Sequence, residues 1–255
     1  MPTNAELNAY AAVKRAVVSA GILELEALMS VVDTSDPQEV YDALTDILPA
    51  LVAKHGQGMQ AIAAEWFEQM VDEPAVLADL VDPSEVESSA RWAASATAAS
   101  TAAKPGDVAK RAAAVMDRHL KNEARATLQL SARETPGVGW ARVLRGSKNC
   151  AFCVTMAGRG ADYRSSATAA RGGENTKRPK QEYHNDCDCD VIMIRSESDW
   201  PAGYDHKELE DMYRAAREKA GVMTLKGGTP GMPRELVPDD DKTILQVMRE
   251  MHGLG

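Results

Sequence analysis

The chain has 255 residues, of which 44% are hydrophobic, 26% charged and 5% aromatic, and its formal net charge is -9. This is the composition of a globular chain with enough apolar residues for a core; so few aromatics exclude a large base-stacking platform, and the negative balance excludes a surface that coats nucleic acid throughout. No run of about 18 apolar residues occurs, and the N-terminus lacks a basic start followed by an apolar stretch, so neither a membrane-spanning helix nor a secretory signal is expected and synthesis in the cytosol is the default.

The first element is predicted as a helix from about Asn4 to Val32, with Leu7, Ala11, Val18, Ile22, Leu25 and Met29 spaced by three or four. Asp36-Pro37 offers a cap and a first-turn proline for a second helix, Pro37 to about His55. Gly56 and Gly58 predict a break, and a third helix runs on to about Val71. Pro74 to Val81 reads as a short fourth. Pro83-Ser84 starts another helix, with an Ala-rich body from Ala90 to Ala103. Lys104-Pro105-Gly106-Asp107 is a break, with Asp107 as N-cap of a helix from Val108 to about Arg133 that carries Lys110, Arg111, Arg118, Lys121 and Arg125 outward.

After Thr135-Pro136-Gly137 the pattern changes to alternation, which predicts a short strand near Trp140 to Leu144. Asp190 to Ile194 predicts a second strand. Arg171 to Glu182, between them, reads as a polar loop. The tail holds a helix from about Asp205 to Ala220, a Gly/Pro-rich linker at Gly227 to Pro233, and an amphipathic segment from Asp241 to His252 that Asp241 is expected to cap. The fold class is therefore mainly α with a small α+β module: a helical part over residues 1–135, a cysteine-containing α+β module over 136–195, and a helical tail over 196–255.

Charge is unevenly spread along the chain. Residues 1–90 hold 16 acids and 3 bases, residues 91–195 hold 18 bases and 10 acids, and residues 196–255 hold 8 bases and 12 acids. Such a split is expected where parts of one chain meet different neighbours, although solvated helix faces would also produce it.

The chemistry is concentrated in one window. All four cysteines, Cys150, Cys153, Cys187 and Cys189, fall between residues 150 and 189. In a reducing compartment this clustering reads as metal binding before disulfides. Cys150-Ala151-Phe152-Cys153 is a C-x2-C knuckle whose thiolates can turn toward one ion. His184 and Cys187 form an H-x2-C pair, and Cys189 adds another sulfur. Two chelating turns from separate segments would close a loop around one structural zinc. Five donors are on offer and a closed site takes four, so which one is spare stays open. The alternative is a set of reduced cysteines packing as small apolar residues. A thioredoxin-like reading of C-x2-C lacks the rest of its pattern.

The run Arg142 to Cys153, then Ala157-Gly158-Arg159-Gly160-Ala161-Asp162-Tyr163, then Tyr183 to Cys189 resembles the phage Mu F-like minor head proteins, those of phages infecting actinobacteria most of all. The likeness covers about Trp140 to Ile194. The family pattern of Cys-x2-Cys, Arg-Gly, and a late His with Cys-x-Cys is matched at Cys150/Cys153, Arg159/Gly160, His184 and Cys187/Cys189. Asp188 stands where that family often has a basic residue. The resemblance implies a non-enzymatic minor capsid protein of the virion, associated with portal and capsid or scaffold in the capsid interior, with a role in head assembly and in DNA packaging or ejection. Arg145, Lys148, Arg159, Arg164, Arg171, Lys177, Arg178 and Lys180 would form a patch for sequence-independent contact with packaged DNA.

Two rival readings use the same window. A zinc-containing His-Asn-His-like endonuclease would use His184-Asn185, but needs a further His or Asn beside it, and His206 is the other histidine nearby. A capsid maturation protease would need Ser165 or Ser166 with His184 as base, and no nucleophile motif surrounds either serine. Elsewhere, His55, His119 and His252 are expected in surface or cap roles, Trp66, Trp92 and Trp140 as anchors of helix packing, and Trp200 at a turn.

Overall fold

A computed structural model describes residues 2–98, 107–145, 149–160, 178–179, 183–185, 187–220 and 243–254. The Gly227 to Pro233 linker and most of the Arg171 to Glu182 loop lie outside the described residues. Among these residues the elements are α1 (Asn4–Met29), α2 (Pro37–Val71), α3 (Pro83–Ala98), α4 (Asp107–Glu134), β1 (Gly139–Val143), α5 (Ala151–Gly158), β2 (Asp190–Ile194), a 3-10 turn (Glu197–Asp199), α6 (His206–Lys219) and α7 (Ile244–His252). The fold is thus mainly helical, with one two-stranded antiparallel sheet pairing β1 with β2.

The chain divides into two compact units. The first comprises Met1–Trp140, Tyr163–Cys187 and Met193–Ala202. Its helices start where capping chemistry permits. Thr3 and Glu6 form a capping box at α1, and Asp36 accepts from the N–H groups of Gln38 and Glu39 ahead of Pro37. The buried face of α2 is Val40, Leu44, Leu48, Leu51, Val52, Met59, Ala63, Trp66, Phe67 and Val71, a three-and-four spacing maintained over nine turns. Tyr10 of α1 stacks on Trp66 at 4.8 Å between ring centroids. Trp92, by contrast, is 48% exposed and takes Arg111 over its ring at 5.1 Å, so it is no buried anchor.

The expected break at Gly56 and Gly58 does not occur, and α2 runs unbroken to Val71. Gly56 is buried, and a Cβ there would lie 3.0 Å from Glu123 Cγ and 3.4 Å from Leu80 Cδ2. The glycine admits a close neighbour; tertiary packing outweighs its helix cost of about 1 kcal/mol. The short helix expected over Pro74 to Val81 is also absent, and the segment is irregular. Its backbone hydrogen bonds go to side chains instead, several of them on α4. Ser131 Oγ accepts from Val76 N at 2.9 Å and donates to Val76 O at 3.1 Å. Thr127 Oγ1 accepts from Ala78 N at 3.5 Å, and Glu123 accepts from Val81 N at 3.1 Å.

These acceptors explain an unusual helix. Every residue of α4 from Asn122 to Ala132 is buried, including Asn122, Glu123, Arg125, Thr127, Gln129 and Ser131. The expectation that Arg125 points outward therefore fails, since it is 3% exposed. Glu123 is fully buried and is matched by Arg178 Nη1 at 2.7 Å and Gln60 Nε2 at 2.8 Å. His119 is buried too, not at the surface, with Nε2 3.0 Å from Ser89 Oγ. Burial, reinforced by the positive charges of Arg118 and Arg178, lowers its pKa from 6.5 to about 4.

The second unit comprises Ala141–Asp162, Asp188–Ile192 and Gly203–Gly255. Its core is Ala151, Val154, Ala216, Ala220, Val247 and Met248, flanked by Leu144, Leu209, Met212, Tyr213, Ile244, Leu245 and Leu254. Asp205 caps α6, and Thr243 caps α7 through a capping box with Gln246. Thr243, not Asp241, thus starts the last helix, because its hydroxyl reaches the third amide of the turn.

Two stability predictions follow from the buried polar groups. Glu123→Ala strands the Arg178 guanidinium, Gln60 and the Val81 amide, so urea denaturation should show a loss of about 3–5 kcal/mol. His119 is held neutral: its folded pKa lies below the unfolded value, so the unfolded chain binds the extra proton first. Stability should be complete above pH 6.5 and fall by up to about 3 kcal/mol as pH drops toward 4. Denaturation midpoints of His119→Gln should lack that slope.

Candidate metal centre

The first half of the site is built by the start of α5. Cys150 is the N-cap, and its sulfur accepts from the Cys153 amide at 3.2 Å. One helical turn therefore sets both sulfurs of the C-x2-C knuckle. Phe152, between them, lies with Arg142 over its ring at 5.9 Å. The other end of α5 is fixed by glycines. A Cβ on Gly158 would come within 2.8 Å of Glu210 N and 2.9 Å of Leu209 C, so only hydrogen fits against the α6 backbone. Gly160 has φ +63°, a left-handed conformation that glycine adopts without strain, and His206 packs against it.

The second half is the segment from Tyr183 to Cys189. His184 is exposed, and its Nδ1 lies 2.5 Å from Asn185 O. A carbonyl can only accept, so Nδ1 is the donor in this contact. Asn185 Oδ1 is buried with no hydrogen-bond partner among the described residues. The Cys187 carbonyl accepts from Arg125 Nη2 at 2.9 Å. Cys189 leads into β2. Tyr204, whose hydroxyl accepts from Leu144 N at 3.2 Å, has its pKa raised to about 12 by burial, with Cys189 adding to the shift.

The donors fall into two groups whose ligand atoms all lie within 4.8 Å of one another: Cys150, Cys153 and His184, and Cys153, Cys187 and Cys189. Either group could hold a metal ion. Two thiolates on one tetrahedral zinc sit about 3.8 Å apart for Zn–S bonds of about 2.3 Å. The observed ceiling is about 1 Å above that, a difference that side-chain rotation can close. Cys153 belongs to both groups. None of the four cysteines is in a disulfide, and Cys153, Cys187 and Cys189 are 2–3% exposed. A sulfur-rich donor set with three buried cysteines and one exposed imidazole suits a structural site for a borderline-soft ion.

The expected cationic patch is partly accounted for. Arg159 is exposed at the C-cap of α5, and Arg145 is half-buried. Arg178 is turned inward, bonded to Glu123 and to Asp79 O at 2.8 Å, so its charge is matched inside the protein. Lys148, Arg164, Arg171, Lys177 and Lys180 lie outside the described residues, as do Ser165 and Ser166. What sequence reasoning missed is Arg125. Its spacing of four from Lys121 and Gln129 put three polar residues on one helix face, and that face reads as solvated when only the sequence is considered.

Gly158→Ala should destabilise the second unit by about 1–3 kcal/mol, since the added methyl meets backbone that cannot rotate away. Limited proteolysis within residues 141–160 and 203–220 should accelerate, whereas Gly58→Ala, with nothing within 4 Å of the new methyl, should leave it unchanged.

Among the described residues no helix is long and apolar enough to cross a membrane. No solved structure matches the chain. It is similar to the Gene 15 protein of Mycobacterium phage D29, 27% identical over 112 residues, covering 35% of this chain and 40% of that relative. The chain thus aligns with well under half of the relative's length. The model of the VG15 protein family matches residues 1–216, spanning both the helices and the cysteine window. With a mycobacteriophage protein among its relatives, this chain belongs to the VG15 protein family, a family of phage proteins.

Proposed function

We propose that the protein is a non-enzymatic minor capsid protein of a tailed phage, with one structural zinc closing its cysteine window. The observation that carries this reading is the grouping of Cys150, Cys153, His184, Cys187 and Cys189. These are the residues of the Mu F-like pattern, and they occur in a chain of a phage protein family. The zinc would be held by four of the five donors, Cys153 being common to both groups. It would tie the start of α5 to the segment ahead of β2, and its contribution would be folding free energy rather than chemistry.

The partners in this reading are a portal protein and a capsid or scaffold protein, and the location is the portal vertex or capsid interior. The strongly acidic residues 1–90 favour a partner with complementary charge. Arg159, with the other cations of the basic middle, would lie toward packaged DNA and bind it weakly and without sequence preference. During packaging or ejection such contacts would release readily.

Purified protein should contain about one zinc per chain, and Cys150→Ser with Cys153→Ser should lose it and expose residues 140–195 to protease. Co-expression with the portal gene from the same phage should yield a complex. Metal-dependent cleavage of DNA that disappears in His184→Ala would replace this reading with the endonuclease one.

A further inference from the structure

We propose that Arg125 of α4 is a positioning residue of the metal centre: it fixes the backbone at Cys187 and offsets the negative charge that thiolate ligands carry. The inference rests on the zinc reading above. Arg125 is 3% exposed, and contacts with described residues help fix where its guanidinium lies. Nη2 donates to Cys187 O at 2.9 Å, and Nη1 donates to Asn122 Oδ1 at 2.9 Å. The group also lies 3.9 Å from the centroid of the Tyr183 ring, which Gln129 reaches through the tyrosine hydroxyl at 3.5 Å.

One side chain thus clamps both ends of the segment from Tyr183 to Cys187, which contains His184 and Cys187. Holding the Cys187 carbonyl fixes the peptide plane next to its Cα, and with it the direction of the Cα–Cβ bond that carries the sulfur. Only a planar fork can stack on a ring and donate in two directions at once, which lysine cannot do. The charge matters as well. Zinc with three thiolates and an imidazole carries a net charge of -1, and with four thiolates -2. A cation held 2.9 Å from the Cys187 carbonyl offsets part of that charge. Lys121 Nζ approaches the same carbonyl at 3.5 Å, but Asp117 at 2.9 Å shares its charge.

The test uses the full-length protein, zinc titrated against a chromophoric chelator, and iodoacetamide labelling of each cysteine read by mass spectrometry. In the zinc-loaded wild type, Cys187 is protected. Arg125→Met should weaken zinc binding about 10–100-fold and leave Cys187 labelled under zinc while Cys153 stays protected. Arg125→Lys should recover part of the affinity through its charge. Should Arg125→Met fail to fold, Tyr183→Leu removes the stack alone and should give a smaller loss of affinity with the same labelling at Cys187. Zinc affinity within twofold of wild type and a protected Cys187 in the folded variants would overturn the inference while leaving the zinc reading intact. A wild-type chain that takes up no zinc would overturn both.

Discussion

The first unit is organised by a helix whose buried surface is polar on two opposite sides. Along α4, Glu123, Thr127 and Ser131 form one row and Lys121, Arg125 and Gln129 another, each with the four-residue spacing of one helix face. Rows offset by two residues point about 200° apart at 3.6 residues per turn. The first row receives the backbone of residues 76–81, and the second holds Tyr183 and the Cys187 carbonyl. A buried polar group without a partner costs about 1–3 kcal/mol. Neither the helix nor the two segments can therefore be buried separately. Four residues of helix, about one turn, rise about 6 Å, and two extended residues span about 6.6 Å, so Val76 and Ala78 keep step with Ser131 and Thr127.

Much of this was legible in the sequence, and what was not follows a physical rule. The helices show their periodicity and caps, as with Asp36-Pro37 and Asp205. The strands are legible too: β1 lies within a residue of where alternation predicts it, and β2 coincides with the predicted strand from Asp190 to Ile194, an apolar run rather than an alternating one. The donor residues were named from spacing alone. What escaped were features decided by partners far away in the chain. Pro74 to Val81 has the spacing of a short helix, yet Ser131, Thr127 and Glu123, some 40–55 residues later, compete for its amides. Gly56 looks like a helix breaker until Glu123 is placed against it. Arg125 and His119 carry no mark of burial, because a polar residue on a helix reads as solvent-facing unless its acceptor is known. The Trp92 side chain errs the other way: its ring is covered by Arg111 rather than by a core.

The second unit uses small residues where the first uses polar ones. Ala151, Ala216 and Gly158 let α5 approach α6 at backbone distance, and the larger Val247 and Met248 of α7 fill the remaining space. The first turn of α5, where Ala151 is buried in this core, is the turn that presents Cys150 and Cys153. Cys150 is set by helix capping, and the Cys187 carbonyl is held by Arg125 of α4.

The claim on which this account depends is that α4 side chains hold an irregular segment as firmly as secondary structure would. Native-state hydrogen exchange of the Val76 and Val81 amides measures this directly. The account predicts that both exchange only through global unfolding, with protection equal to that of the slowest amides in the centre of α4. Exchange of these two amides at the rate of an open loop would contradict it.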